Sequence, residues 1–438
     1  MDILLILPFV TIIFLLSAGP LFFPKWWAGM GKIVPIALAA LVAAVYLYQG
    51  KSNDLVETLS EYFSFISIIG AMYVVAGGIC IQPYCNATPK VNVIFLLLGA
   101  LLTNIIGTTG ASVLLLKPFI RLNRYKVKPY HIIFFIFLVS NAGGLLTPLG
   151  DPPLFMGYLK GVPFFWFTEK LFLPWVFVVA ALCIVFFIID KRKDTGIESS
   201  IIHDKKTQKV LVIGKRNFIG LAVILVSLFL DPRKYSWIPT LEYGHHQLSF
   251  IRELIQIATA YICYKTSNKG ALEMNDFSME PIEEVAFAFC GIFVTMMPAL
   301  EALRHAVSSP AIAAAITPSV TFWGTGAMSA ILDNAPSFIN AMTVTMAKHN
   351  MNISSYSDVQ KFVSMQNDQS LPSYLIAISF ASVIFGAFTY VGNGPNFLVK
   401  AMAEKENINM PSFMQYIFKY VIPIFLPIVT LCWIIFIL

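Results

Sequence analysis

Charge is scarce in this chain. Only 12% of its 438 residues are Asp, Glu, Lys or Arg, where soluble domains carry roughly a quarter. With 57% hydrophobic residues, that shortage excludes an ordinary soluble domain and indicates an all-α polytopic membrane protein. No Walker A sequence, nucleophile elbow or HExxH occurs, so neither ATP-driven transport nor hydrolysis is suggested. The chain is therefore not expected to be an enzyme, and no cofactor is implied. Six cysteines (Cys80, Cys85, Cys183, Cys263, Cys290 and Cys432) show no CxxC or other metal spacing, so they read as small packing residues. The net charge of +6 is modest and calls for no nucleic-acid partner. Met1-Asp2 lacks a basic region before the first apolar run, so that run reads as a retained helix.

What is abundant is long apolar sequence. Runs fall at 3–22, 32–49, 61–81, 92–120, 131–161, 171–190, 217–230, 251–266, 282–300, 311–347, 374–402 and 413–438. At roughly 20 residues per crossing, about ten to twelve crossings fit. Two runs are broken in their middle. One reads Ser140-Asn141-Ala142-Gly143-Gly144-Leu145-Leu146-Thr147-Pro148-Leu149-Gly150-Asp151-Pro152-Pro153; the other reads Gly386-Ala387-Phe388-Thr389-Tyr390-Val391-Gly392-Asn393-Gly394-Pro395-Asn396. Proline removes a donor and glycine favours non-helical torsions. Such backbone survives at membrane depth only where protein buries it or a cavity is lined by it.

The runs 92–120 and 311–347 are too long for one helix, and their polar midpoints suggest re-entrant hairpins. Charge tests this. With both as hairpins, the loops near 24–32, 83–91, 117–130, 191–216, 265–282 and 400–412 share one side and hold 20 Lys and Arg. The loops at 50–60, 160–170, 231–250, 301–310 and 348–373 hold 8. By the positive-inside rule the first set is cytoplasmic, which places the chain in the inner (plasma) membrane as a multi-pass protein.

Two halves then match in order, with opposite orientation. Residues 1–60 are N-terminal scaffold helices, and 61–190 form a first inverted repeat with hairpin 92–120 and broken helix 131–161. A basic linker, 191–216, reads as a solvated cytoplasmic loop, and 217–281 supply further scaffold helices. Residues 282–438 form the second repeat, with hairpin 311–347 and broken helix 374–402. Interrupted segments at matching places are the usual pointer to a transporter's binding site.

Asp151 sits in the first broken helix and Asp333 at the tip of the second hairpin. An ionisable group at membrane depth is costly and reads as functional by default; the bland alternative is that each only caps a half-helix. Oxygen donors suited to a small hard cation surround them in sequence: Asn104, Thr108, Thr109, Ser112, Asn141, Thr147, Asn334, Ser337, Thr389, Asn393 and Asn396. Oxygen-only ligation suits sodium, with Asp151 and Asp333 as the ion ligands. For any single Asn or Ser, an interhelical hydrogen bond is an equal reading. Glu283, Glu284, Glu301 and Arg304 read as snorkelling charges at helix ends, and a pH-sensing role for His131, His245 or His246 is a lesser reading.

The stretch from Ser140 to Asp151 and the tip Asp333-Asn334-Ala335-Pro336 resemble the NhaD-type sodium/proton antiporters. These belong to the ion-transporter superfamily that also holds arsenite permeases and divalent-anion/sodium symporters. Pro152-Pro153-Leu154-Phe155-Met156-Gly157 is similar to a subgroup labelled citrate or sodium/proton transporters. The resemblance implies a homodimer with a scaffold and a moving transport domain that works as an elevator. The chain departs from the antiporters in carrying Thr103-Asn104 where they tend to carry Asp-Asn. It departs from the symporters in lacking Ser-Asn-Thr at either tip.

The expected activity is exchange of sodium or lithium for protons, with inorganic cations and the bilayer as partners. A sodium-coupled citrate or dicarboxylate symporter is the alternative. A channel or a metalloid permease is a third class.

Overall fold

A bilayer offers no partner to backbone N–H or C=O, so an apolar chain must satisfy these groups internally. The computed structural model describes residues 3–84, 87–193, 209–230, 237–243, 246–307, 309–367 and 374–438, and helices do that work. Six stretches are at least 18 residues long and apolar enough to cross a membrane: Ser52–Gly77, Pro89–Leu122, Pro129–Leu146, Trp166–Lys193, Glu280–Val307 and Phe413–Phe436. Shorter apolar helices lie at Leu4–Leu16, Ile33–Tyr48, Asn217–Ser227 and Tyr374–Phe388. Strands are few among the described residues. Cys80–Tyr84 pairs antiparallel with Lys209–Ile213, and Leu241–Tyr243 with His246–Leu248.

The chain divides into two compact units. The first comprises Met1–Ile79 and Gly214–Ser309. Within it, Phe65 is fully buried and stacks on Phe289 at 4.6 Å, with Phe293 at 5.6 Å. The last carbonyls of a helix have no helical partner. At the end of Ser52–Gly77, Asn275 Nδ2 donates to Gly77 O (2.9 Å) and Ile79 O (2.7 Å), while Asn217 Nδ2 donates to Val75 O (2.9 Å). Two of the acids around Glu280–Val307 form ion pairs, Glu283 with Lys32 at 2.7 Å and Glu301 with Lys51 at 3.0 Å. These side chains are substantially exposed, so solvent screens both pairs and neither is a major source of stability.

The second unit comprises Cys80–Ile213 and Pro310–Leu438, and both runs expected to reverse do so. A straight helix would hold Asn92 and Asn123 about 46 Å apart. Instead their amides exchange two hydrogen bonds of 2.9 Å, and Phe95 stacks on Phe119 at 5.3 Å. The reversal is at Gly107, whose φ of 78° and ψ of 158° are open only to glycine. The second hairpin pairs Pro318–Ile331 with Asn334–Lys348. Its ends are closed by Lys348 Nζ, which donates to Ile316 O at 2.5 Å and to Tyr374 Oη at 2.8 Å. Both hairpins open on a Thr-Pro pair. Thr88 Oγ1 accepts from Val91 N and Thr317 Oγ1 from Val320 N, as N-caps with proline in the first turn.

Several limits read from hydropathy shift, because hydropathy does not see hydrogen bonding. The loop expected at 50–60 is helical from Ser52, and 348–373 contains the helix Tyr356–Asn367. Run 311–347 is not all hairpin: Pro310–Ala315 is a separate helix, and the arm begins at Pro318. The linker 191–216 is not wholly a solvated loop. Its end, Lys209–Ile213, is a strand, as its β-branched content favours. Residues 194–208, Cys85 and His245 lie outside the described residues.

A buried cluster ties the open end of the first hairpin to its neighbours. Asp190 accepts from Asn92 Nδ2 (2.9 Å) and Tyr130 Oη (2.8 Å), and His131 Nε2 lies 3.2 Å from its carboxylate. Lys128 N donates to His131 Nδ1 at 3.1 Å, which puts the ring proton on Nε2, toward Asp190. His131 is thus a structural member of this clasp. Asp190→Ala would leave buried donors facing nothing, at about 1–3 kcal/mol each. A clear fall in the thermal midpoint in detergent is expected; an unchanged midpoint would show that the clasp ties nothing.

Candidate functional site

The two interrupted segments are built alike. Pro129–Leu138 is followed by non-helical backbone and a 3₁₀ turn at Ala142–Leu146, before Pro152–Lys160 resumes. Tyr374–Ile384 is followed by a 3₁₀ turn at Phe385–Phe388, before Gly394–Lys405 resumes. Ser140, Gly144, Thr147, Gly150, Asp151 and Pro153 recur as Ser382, Gly386, Thr389, Gly392, Asn393 and Pro395, each 242 positions later. The recurrence extends to contacts. Thr147 Oγ1 donates to Asn104 O at 2.6 Å, and Thr389 Oγ1 to Ala330 O at 2.6 Å. Each hydroxyl fastens its segment to the hairpin beside it. Each loop also closes glycine on glycine: a Cβ at Gly150 would stand 2.1 Å from Gly144 O, and one at Gly392 2.7 Å from Gly386 O.

Asp151 lies at the centre. It is fully buried, and both carboxylate oxygens are engaged. Thr108 Oγ1 (2.8 Å) and Asn393 Nδ2 (3.2 Å) donate to Oδ1, and Asn334 Nδ2 (2.7 Å) donates to Oδ2. Asn334 is oriented in turn, since its Oδ1 accepts from Ser329 Oγ at 2.7 Å, and that hydroxyl also contacts Ser382 O at 2.6 Å. Asn393 Nδ2 further meets Ser140 O and Asn141 Oδ1, each at 3.1 Å. Asn141 Nδ2 donates to Asn396 Oδ1 at 2.7 Å, and Asn396 Nδ2 to Gly386 O and Thr389 O. Thr108 N donates to Gly150 O at 2.8 Å.

The capping alternative fits Asp151 poorly, because its carboxylate oxygens are taken up by side chains from other elements. Asp151 and Asp333 occupy N-cap positions, yet neither makes a side-chain capping hydrogen bond. Asp333 sits at the tip of the second hairpin, half-buried, and its Oδ1 has no partner. Among the described residues neither acid has an ion-pair partner. Every donor to Asp151 is neutral.

The fold therefore brings Asp151, Thr108, Asn141, Asn334, Asn393 and Asn396 into one bonded network. Asn104 and Thr147 hold the first hairpin against the first interruption: Asn104 Oδ1 accepts from Leu146 N at 3.0 Å. Ser337 Oγ bonds back to Asp333 O at 3.1 Å, and half-buried Thr109 stands outside the network. Ser112 pairs with Ser140 at 2.7 Å. Sequence reasoning passed over Ser329, which orients Asn334; a serine in the last turn of a hairpin arm looks like ordinary packing. It also passed over Glu253 in the first unit, fully buried against Arg252 (2.5 Å) and Ser64 (2.7 Å), because a Glu next to an Arg reads as a surface pair.

Electrostatically the site is unusual in one respect. Thr108 and Asn334 begin hairpin arms, while Asp151 and Asn393 stand at the N-terminal ends of the resumed helices. Four helix N-termini thus meet at one carboxylate. Each carries a partial positive charge of up to about half a unit, which offsets a buried negative charge where no side-chain cation does. Such a site can hold a carboxylate charged, take up a proton, or admit a cation with the unpaired Asp333 oxygen and the amide oxygens as ligands. The family described as "Putative citrate transport" matches residues 1–437 of this chain. No curated protein is matched by it.

Proposed function

We propose, from the premise that this chain belongs to the family described as "Putative citrate transport", that it is a secondary transporter exchanging sodium or lithium for protons. One observation carries this reading. Asp151 is a buried carboxylate with only neutral donors around it, at the meeting point of two hairpins and two interrupted helices. A charged carboxylate there is costly to leave unneutralised, and either a proton or a small cation relieves the cost. The two therefore compete for one place, which is the physical basis of exchange. Asp333 supplies the second acid and an oxygen free to ligate. Asn141, Asn334, Asn393 and Asn396, with Thr108, complete or orient the shell, and Asn104 and Thr147 hold it in register. Ser337 and Thr109 have weaker support.

The shared spacing of the two interrupted segments, and the matching Thr-Pro starts of the hairpins, support a pair of inverted repeats around this site. The unit Cys80–Ile213 with Pro310–Leu438 then acts as the transport domain and the other unit as the scaffold, in a homodimer working by an elevator. The charge bias between loops supports cytoplasmic placement of the basic set, in a plasma membrane.

The test is proton movement in proteoliposomes, followed with a pH-sensitive dye while sodium, lithium, potassium or citrate is added in turn. Sodium or lithium alone should collapse an imposed proton gradient. Asp333→Asn should remove that response while the protein still inserts and folds; an intact response in this variant would exclude Asp333 from the site.

A second reading has its own support. Four helix N-termini around the site and the family's description both suit a carboxylate substrate, with sodium neutralising the aspartates. A response that requires citrate and sodium together would favour that symporter over exchange.

A further inference from the structure

We infer that the first unit holds a site of its own for a sodium ion, where the helices Ser52–Gly77, Asn217–Ser227 and Ile251–Thr266 meet. Its ligands are Glu253 Oε2, Gln256 Oε1 and Ser67 Oγ. The inference does not rest on the exchange reading above. It starts from Glu253, which is fully buried. An arginine usually meets a carboxylate fork to fork, with one N–H to each oxygen. Here Arg252 Nε (2.9 Å), Arg252 Nη2 (2.5 Å) and Ser64 Oγ (2.7 Å) all donate to Oε1, and Oε2 has no protein partner. Gln256 is also fully buried. Its Nε2 donates to Ser227 Oγ at 3.2 Å, but its Oε1 has no partner. Ser67, 6% exposed, carries the third unpaired oxygen. A helical hydroxyl can bond back to the preceding turn, as Thr259 does to Ile255 O and Thr295 to Gly291 O. Ser67 Oγ does not.

Helix periodicity brings the three together. Glu253 and Gln256 lie three residues apart on one face of their helix, and Ser64 and Ser67 likewise on theirs. The bond from Ser64 to Glu253 sets these faces against each other at one level. Further along, Gly220 packs against both Val75 and Cys263, which stand 11 residues beyond Ser64 and 10 beyond Glu253. The two helices therefore run in the same direction and nearly in step. Ser67 and Gln256 each stand about 4.5 Å further along than the Ser64–Glu253 bond. Asn217–Ser227 runs the opposite way, since Gly220 meets Cys263 while Ser227 meets Gln256. All three helices, which pack on one another, thus contribute at this level.

What they present there is lone pairs. The donors of Ser64, Gln256 and Ser227 are directed to Glu253 Oε1, Ser227 Oγ and Ile224 O. A carboxylate oxygen and an amide oxygen side by side, buried and without a donor, are costly, and one cation relieves both. Oxygen-only ligation suits a small hard ion, and a single carboxylate beside a guanidinium brings too little charge for a divalent one. The helix ends agree. Glu253 lies in the first turn of its helix, where a negative charge is favoured, and Ser227 closes the last turn of its own, where a positive one is. Bound there, the ion fastens the three helices of the first unit together.

The test uses the double variant Asp151→Asn, Asp333→Asn, which lacks both acids of the candidate exchange site. Its thermal midpoint is measured in detergent as sodium replaces choline at constant ionic strength. Sodium should raise the midpoint by about 3 °C, and adding Glu253→Gln should remove that rise. Adding Ser67→Ala instead should leave the choline midpoint in place, because that hydroxyl makes no protein hydrogen bond. It should move the sodium concentration for half the rise upward by about tenfold, and it decides the matter if Glu253→Gln does not fold. A midpoint indifferent to sodium in the double variant means that a shared proton or a buried water lies between the oxygens, and overturns the inference. A half-point unmoved by Ser67→Ala, or a rise that survives Glu253→Gln, overturns it equally. The exchange acids are absent throughout, so failure here leaves the exchange reading to its own assay.

Discussion

Asp151→Asn is expected to reduce sodium- or lithium-driven proton movement to the background leak while leaving the protein folded. The substitution changes charge and almost nothing else. In the wild type, Oδ1 receives Thr108 and Asn393 and Oδ2 receives Asn334. An amide at position 151 keeps its oxygen toward the first pair and turns its NH2 toward Asn334. Asn334 can accommodate this by turning its own amide. Its partner Ser329 Oγ then accepts from it and still donates to Ser382 O. The structural cost is one rearranged hydrogen bond, about 1 kcal/mol, so the thermal midpoint should hardly move. What disappears is the one fully buried negative charge at the meeting point of four helix N-termini, on which the proposed trade of a proton for a cation rests. The decisive measurement pairs dye-reported exchange with a thermal midpoint on the same preparation. A folded Asp151→Asn protein that still exchanges would put the ion site elsewhere, with Asp333 the next acid to examine.

Gly150→Ala should be the most damaging small substitution in the second unit. The added methyl would lie 2.1 Å from Gly144 O and 2.7 Å from Gly144 C. Both are backbone atoms of the same tight loop, so no flexible side chain can give way. Overpacking of this kind costs about 3 kcal/mol, and relief requires the loop that presents Asp151 to open. Loss of exchange together with a much lower thermal midpoint is expected. Gly394→Ala is the matched control, since a Cβ there meets nothing within 4 Å, and it should behave as wild type. Equal behaviour of the two variants would mean that the glycine contact does not hold the loop shut.

Much of the fold was legible because its causes are local. Scarce charge and long apolar runs demand helices, and Thr-Pro, Gly and Pro-Pro pairs mark where these start and stop. Gly107 could only be read as part of a polar midpoint, yet that was enough to expect a reversal in 92–120. Amphipathic or charged turns such as Ser52–Leu59 and Tyr356–Asn367 read as loops from hydropathy, and Lys209–Ile213 as part of a solvated linker, because periodicity and pairing carry information that hydropathy averages away.

The sequence by itself determined that this is a helical membrane protein with two hairpins, two interrupted helices, one acid in the first interruption and one at the tip of the second hairpin. Those features follow from residues a few positions apart. It could not say which acid sits at the centre, nor which of the many Asn, Ser and Thr reach it. Thr108, Asn334 and Asn393 meet Asp151 across separations of 43, 183 and 242 residues, while Thr109, next to Thr108, stands aside. Only tertiary structure decides this, because a hydrogen bond depends on which face of a helix reaches which neighbour, and no local pattern encodes that.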